Sequence, residues 1–268
     1  MPSPRAIAAE TVSELAAHLP AVGELGPDDR RLAEAIVYRG VMRQLLRDIW
    51  EVDNHTDGPS EALLRSIDPD AVQRDPEGRP VTANTATPHW REWHPGLDND
   101  GQTLGEVMAT LPGFPADAVP ALVRLFENPA SPVALAGACT LPQHDAIHVL
   151  VGRGLVDQDE AFVIGFTAGA DSTLGQADVE AYRVALSSYA EPFRIVGRDL
   201  LAFDLGVQAG RVAAGRDLHA LDVDAYAGLP LGEARRRLGV DPDVLRDFYR
   251  LEQRVIPGTP ASLRLPTG

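Results

Sequence analysis

Apolar residues recur three and four positions apart along most of this chain, the period of a helix that buries one face. Over residues 27–50 the stripe is Leu32, Ile36, Val37, Leu45 and Ile49. It opens at Pro27-Asp28-Asp29, which sets two acids at the positive end of the helix dipole. The same period predicts an Ala/Leu-rich helix over residues 6–19, ending at Pro20. Further helices are predicted over Val107–Leu111 and Asp117–Glu127, from about Pro142, and from Asp159 to Gly169. The series continues with Ala177–Tyr189, Pro192–Val212, Leu231–Leu238 and Asp243–Ile256. No segment shows convincing period-two alternation. Residues 51–103 lack either period and are rich in Asp, Pro, Gly and Thr, with only a short helix candidate at Glu61–Ile67.

The expected fold is therefore all-α: a single multi-helix domain with a long irregular insertion. N-terminal helices (1–50) pack on a helical core (104–256), an irregular insertion or lid (51–103) separates them, and a Pro/Gly tail (257–268) follows. Gly206 and Gly210 suit a close helix–helix approach.

The string HDAIHVLVGRGLVDQDE concentrates the candidate chemistry. His144 and His148 are four apart, which puts both imidazoles on one helix face. Asp145 lies between them, and Glu160 follows after the Gly152-Arg153-Gly154 break. Two imidazoles with carboxylates are a plausible ligand set for a divalent metal, zinc above all. Glu160 has a competing reading, in which Asp157 is an N-cap and Glu160 reaches back to its backbone N–H as a capping box. His89 and His94 flank a WREW string and are better read as surface or packing residues than as ligands.

Composition narrows the function. All 24 basic side chains are Arg, so Schiff-base chemistry and a phosphate-loop lysine are excluded. The net charge of −15 opposes nucleic-acid binding. Arg235-Arg236-Arg237 with Arg246, Arg250 and Arg254 is one local basic cluster, read as a solvated helix face rather than a phosphate or membrane site. The single Cys139 forms no intramolecular disulfide and is read as core packing with an outside chance of facing the site. No signal peptide or membrane span is recognised, so a cytoplasmic protein is expected, at most peripheral to a membrane.

His144, Asp145 and His148, followed after eleven residues by Glu160, resemble the motif of the coenzyme Q biosynthesis protein 4 family. The likeness continues in order through Gly165-Phe166-Thr167, Gly206, Gly210-Arg211, Leu221-Asp222, Tyr226, Pro230-Leu231, Glu233, Arg236 and Leu238-Gly239-Val240, covering roughly residues 104–256. Ala146 and Ile147 stand where the family often has aromatic residues, and residues 51–103 have no counterpart in it. The resemblance implies an all-α fold, and zinc or another divalent metal at His144, Asp145, His148 and Glu160. It also implies a cavity for a prenylated lipid or quinone precursor.

The function that this resemblance implies is that of a metal-dependent enzyme acting on a hydrophobic aromatic or prenylated substrate, a lyase that removes a carboxylate, with oxidation at that carbon as one form of the reaction. Arg153, or Arg198 from the 192–212 helix, is a candidate partner for an anionic substrate. Expected partners are that small molecule and a homodimer or biosynthetic complex. Two alternatives are a lipid- or quinone-binding scaffold with a structural metal, and a phosphohydrolase built on the His144-Asp145 doublet. The latter would need a further His (His55, His89 or His94) and Asp171 or Asp178.

Overall fold

Several of the helices below begin or end on a residue with a legible reason, and two of them meet through glycines. The computed structural model describes residues 4–18, 90–112, 121–131, 133–189 and 193–267, together with 26, 27, 30, 33, 34, 36–38, 40 and 41. In chain order its helices are α1 (Pro4–His18), α2 (Leu104–Met108), α3 (Ala121–Glu127), α4 (Leu141–Val151), α5 (Asp157–Ala170) and α6 (Gln176–Ser188). These are followed by α7 (Asp199–Ala213), α8 (Val223–Ala227), α9 (Leu231–Leu238), α10 (Pro242–Val255) and α11 (Pro260–Arg264). The described residues between 27 and 41 are helical from 27 onward. Among the described residues there is no strand, only an isolated bridge between Thr103 and Pro230. The fold is all-α. The rest of the 27–50 helix, the Glu61–Ile67 candidate, His55, His89 and residues 117–120 lie outside the described residues.

The chain forms two compact units. One holds α1, the helical residues between 27 and 41, α3 and α6; the other holds α2, α4, α5 and the chain from Ile195 onward. Residues 104–256, read from sequence as one core, contribute to both. In the first unit, Leu125 and Phe126 of α3 and Val179, Tyr182 and Leu186 of α6 are buried, and the Tyr182 hydroxyl donates to the Ala136 carbonyl (2.8 Å).

The second unit is organised on α5 and α7. Helix α5 is apolar nearly all round, and Ala161, Phe162, Val163, Phe166 and Ala168 are fully buried. A Cβ on Gly165 would collide with the Phe203 carbonyl, on Gly169 with that of Val207, on Gly206 with that of Phe162, and on Gly210 with that of Phe166. The partners rise together along both helices, so α5 and α7 run in the same direction. Four glycines at i,i+4 spacing let the two backbones touch, and Phe162, Phe166, Phe203 and Val207 fill the flanks. Each such apolar side chain contributes about 1.5–3 kcal/mol on burial.

Helix α7 starts at Asp199, later than the sequence suggests, because the chain turns at Gly197 (φ 60°). The 257–268 segment is not a plain tail: Thr259 caps α11 by accepting from the Ser262 N–H (3.1 Å), Pro260 opens the helix, and Ala261, Ser262 and Leu265 are buried. Residues 90–103 are irregular, as expected, yet Trp93 and Leu97 are buried. Arg235 is part of the reason. It is buried, and it donates to the carbonyls of Leu97 (3.0 Å) and Leu150 (2.9 Å) and to the carboxylate of Asp100 (2.8 Å). Of the basic cluster, Arg235 is thus an internal tie rather than a solvated residue, while Arg236 and Arg237 pair with Glu233.

Candidate metal centre

Helix α4 carries both histidines. Its start is fixed by Gln143, whose side-chain carbonyl accepts from the Thr140 N–H (2.8 Å) while its amide donates to the Leu221 carbonyl (3.0 Å). Its end is fixed by Gly152 at φ 71°, a left-handed position. A side chain at Gly152 would also strike the Gly96 carbonyl, so glycine is required there twice over. The chain then turns through Gly154 into α5, whose first turn holds Glu160.

This hairpin brings three ligating atoms together. His144 Nε2 lies 3.0 Å from Glu160 Oε2, His148 Nε2 lies 3.0 Å from His144 Nε2, and His148 Nε2 lies 3.3 Å from Glu160 Oε2. The two rings meet edge-on, 4.6 Å between centroids and 79° between planes. His148 is fully buried, while the side chains of His144 and Glu160 keep 18% and 31% exposure, so the cluster reaches solvent on one side.

The donor set fits a divalent ion. Three lone-pair atoms face one another, and a single proton on His144 Nε2 serves either neighbour but not both fully. A tetrahedral ion with bonds of ~2.0–2.1 Å separates its ligands by roughly 3.3 Å, and an octahedral one with similar bonds by about 3 Å. The observed triangle spans that range. His148, Glu160 and His144 could therefore hold a metal ion.

The three groups compensate one another's charge, so an ion that binds here must displace the proton on His144. Burial works to raise the Glu160 carboxyl, but the neighbouring His148 and His144 outweigh it and hold it well below the usual carboxylate range. Burial works to lower His144, but hydrogen bonds to the Cys139 thiol and to Glu160, with the Glu160 charge, push it well above the usual imidazole value. Cys139 is half-buried and lies beside His144, outside the group of converging ligand atoms.

Asp145 is not in the group of converging ligand atoms. Burial raises its carboxyl, with His144 and His148 opposing and Glu160 adding to the shift, so it stands beside the cluster. The capping reading of Glu160 is overturned. The helix starts at Asp157 with Val156 at the cap position, and the Glu160 carboxylate is turned to the histidines.

Arg153 faces neither the cluster nor solvent. It is fully buried, donating to Glu252 Oε2 (2.9 Å), Glu252 Oε1 (2.8 Å) and the Gln158 carbonyl (3.2 Å), and pairing with Asp159 (3.0 Å). Arg198 is exposed at the start of α7. His94 is not in the cluster either: burial, helped by the Arg264 and Arg153 charges, lowers it to about 4 against a raising effect of Asp159. The residues that sequence reasoning missed are Gln158, Asp159, Glu252, Thr259 and Arg264. Their only local signal is the Thr259-Pro260 pair, a helix-start pattern inside an apparent tail.

Comparison with protein-family models, with curated proteins and with solved structures finds no match.

Proposed function

We propose that this protein is a divalent-metal enzyme that removes a carboxylate from a hydrophobic aromatic or prenylated acid. The observation that carries the reading is the number and exposure of the donors. Three protein atoms converge, and the edge formed by His144 and Glu160 is open to solvent. Three protein ligands with room for a further one is the pattern of a catalytic site; a structural site closes with four. The substrate class is supported by the His144–Glu160 spacing and by the ordered likeness to the coenzyme Q biosynthesis protein 4 family, together with the all-α fold.

When bound, a divalent ion would supply a positive charge for a substrate carboxylate or phenolate. The chain's own part is to hold His144, His148 and Glu160 at fixed separation and to keep Glu160 ionised. In the simplest form of the reaction the carboxylate leaves as carbon dioxide, its bonding electrons stay on the ring carbon, and a proton takes its place.

The open donor set counts against a scaffold with a purely structural metal. The phosphohydrolase alternative is weaker. Asp145 stands outside the donor group, Asp171 accepts from Thr173 (2.7 Å), and Asp178 accepts from the Gly175 N–H (2.8 Å). The test is to incubate zinc- or manganese-loaded protein with a polyprenyl-hydroxybenzoate and follow carbon dioxide release and product mass. Conversion in wild type and none in His148→Ala is expected. Absence of conversion with a fully loaded site would favour the scaffold.

A further inference from the structure

Helix α5 begins without a side-chain cap. Val156, at the cap position, has no side-chain acceptor to offer the first-turn N–H groups; its backbone carbonyl accepts from Asp159 N–H (2.6 Å) and Glu160 N–H (3.0 Å). Helix ends fray in the first turn, and Glu160 is the fourth residue of this helix. A ligand in such a place needs another source of rigidity.

The structure provides one from the far end of the sequence. Asp159, fully buried and immediately before Glu160, is paired with Arg153 (3.0 Å) on one oxygen and Arg264 on the other. Arg264 also donates to the Arg91 carbonyl (2.6 Å). Gln158, one residue earlier, donates to the Ser262 hydroxyl (3.0 Å) and to Glu252, and accepts from the Thr259 hydroxyl (2.6 Å). Gly154 makes room for this: a Cβ there would strike Arg264, the Trp93 carbonyl and Asp159. Two consecutive residues of the first turn are thus gripped by α10 and by residues 259–264. Because successive side chains on a helix point about 100° apart, fixing Gln158 and Asp159 fixes the rotation of the turn and with it the direction of Glu160.

We infer that residues 259–264 form a clasp whose Arg264–Asp159 contact positions Glu160 and thereby sets the metal affinity of the His144–His148–Glu160 cluster. Arg264, Asp159, Gln158 and Thr259 are positioning residues; none touches the cluster in this arrangement. The inference rests on the metal reading of that cluster. Residues that orient metal ligands typically change affinity by about 10–100-fold when lost.

The test is a titration of the full-length, metal-stripped protein with cobalt(II), read by its visible absorption, and with zinc in competition with a chelating dye. Arg264 is partly exposed (21% of its side chain), so Arg264→Ala is expected to fold. Its affinity should fall about 10-fold or more, with a changed cobalt spectrum. Arg264→Lys, which keeps a charge on Asp159, should recover most of the loss. Thr259→Val is a second, independent lesion and should shift affinity in the same direction. Leu263→Ala, on the exposed face of the same helix, should leave both affinity and spectrum unchanged. Wild-type affinity and spectrum in Arg264→Ala, in protein with native circular dichroism, would overturn the clasp and leave the metal site standing. Failure of the wild-type chain to bind either ion would overturn both.

Discussion

Glu160 is the residue on which the site turns, because its carboxylate has given up the helix cap to face two imidazoles. Replacing it with Gln removes the charge and keeps the shape. Metal affinity should then fall by at least about 10-fold, as expected for lost ligation in a site of this kind. Helix content measured by circular dichroism should be unchanged, and a loss of helicity would revive the capping role. His94 supports a second expectation. Its folded value of about 4 lies below the ordinary 6.5, so the unfolded chain takes up a proton in that window and the folded chain does not. The contribution to stability is complete above pH 6.5 and is lost as pH falls toward 4, up to about 3 kcal/mol by linkage. Urea midpoints across this range should drop less steeply in His94→Gln than in wild type; parallel curves would refute the assignment.

At the scale of elements, α5 and α7 invert a familiar rule. Replacing Gly by Ala inside a helix ordinarily stabilises by about 1 kcal/mol. Here Gly165→Ala or Gly206→Ala places a methyl into a facing carbonyl, so each should destabilise by about 3 kcal/mol or more, beyond the usual cost of overpacking. Equilibrium unfolding of the two variants measures this, and a neutral or stabilising Gly206→Ala would rule out the close approach. Much of this was legible in advance. The helical period located α4, α5, α6, α9 and α10 to within a few residues, and Gly206 and Gly210 already suggested the close approach. Helix α11 was not legible because Pro257-Gly258 reads as a terminus, while its burial comes from contacts with residues a hundred positions away. Arg153 was misplaced for the same reason. A Gly-Arg-Gly turn looks exposed locally, and its partner Glu252 lies on α10.

For the whole molecule, both ligand-bearing segments belong to the same compact unit, so a bound ion should stabilise that unit as a ligand of the native state. At a hundred times its dissociation constant the gain is about 2.7 kcal/mol. Thermal unfolding of wild type should move upward with zinc, and that of His148→Ala should not; equal shifts in both would place the ion elsewhere. The strongly acidic chain, at −15, gives any cation a general attraction, which makes the variant comparison essential. The most direct measurement is elemental analysis of protein purified without added metal, wild type beside His144→Ala and His148→Ala. About one divalent ion per wild-type chain is expected, with a sharp loss in both variants. Wild-type metal content in both, or none in wild type after exposure to zinc, would contradict this expectation.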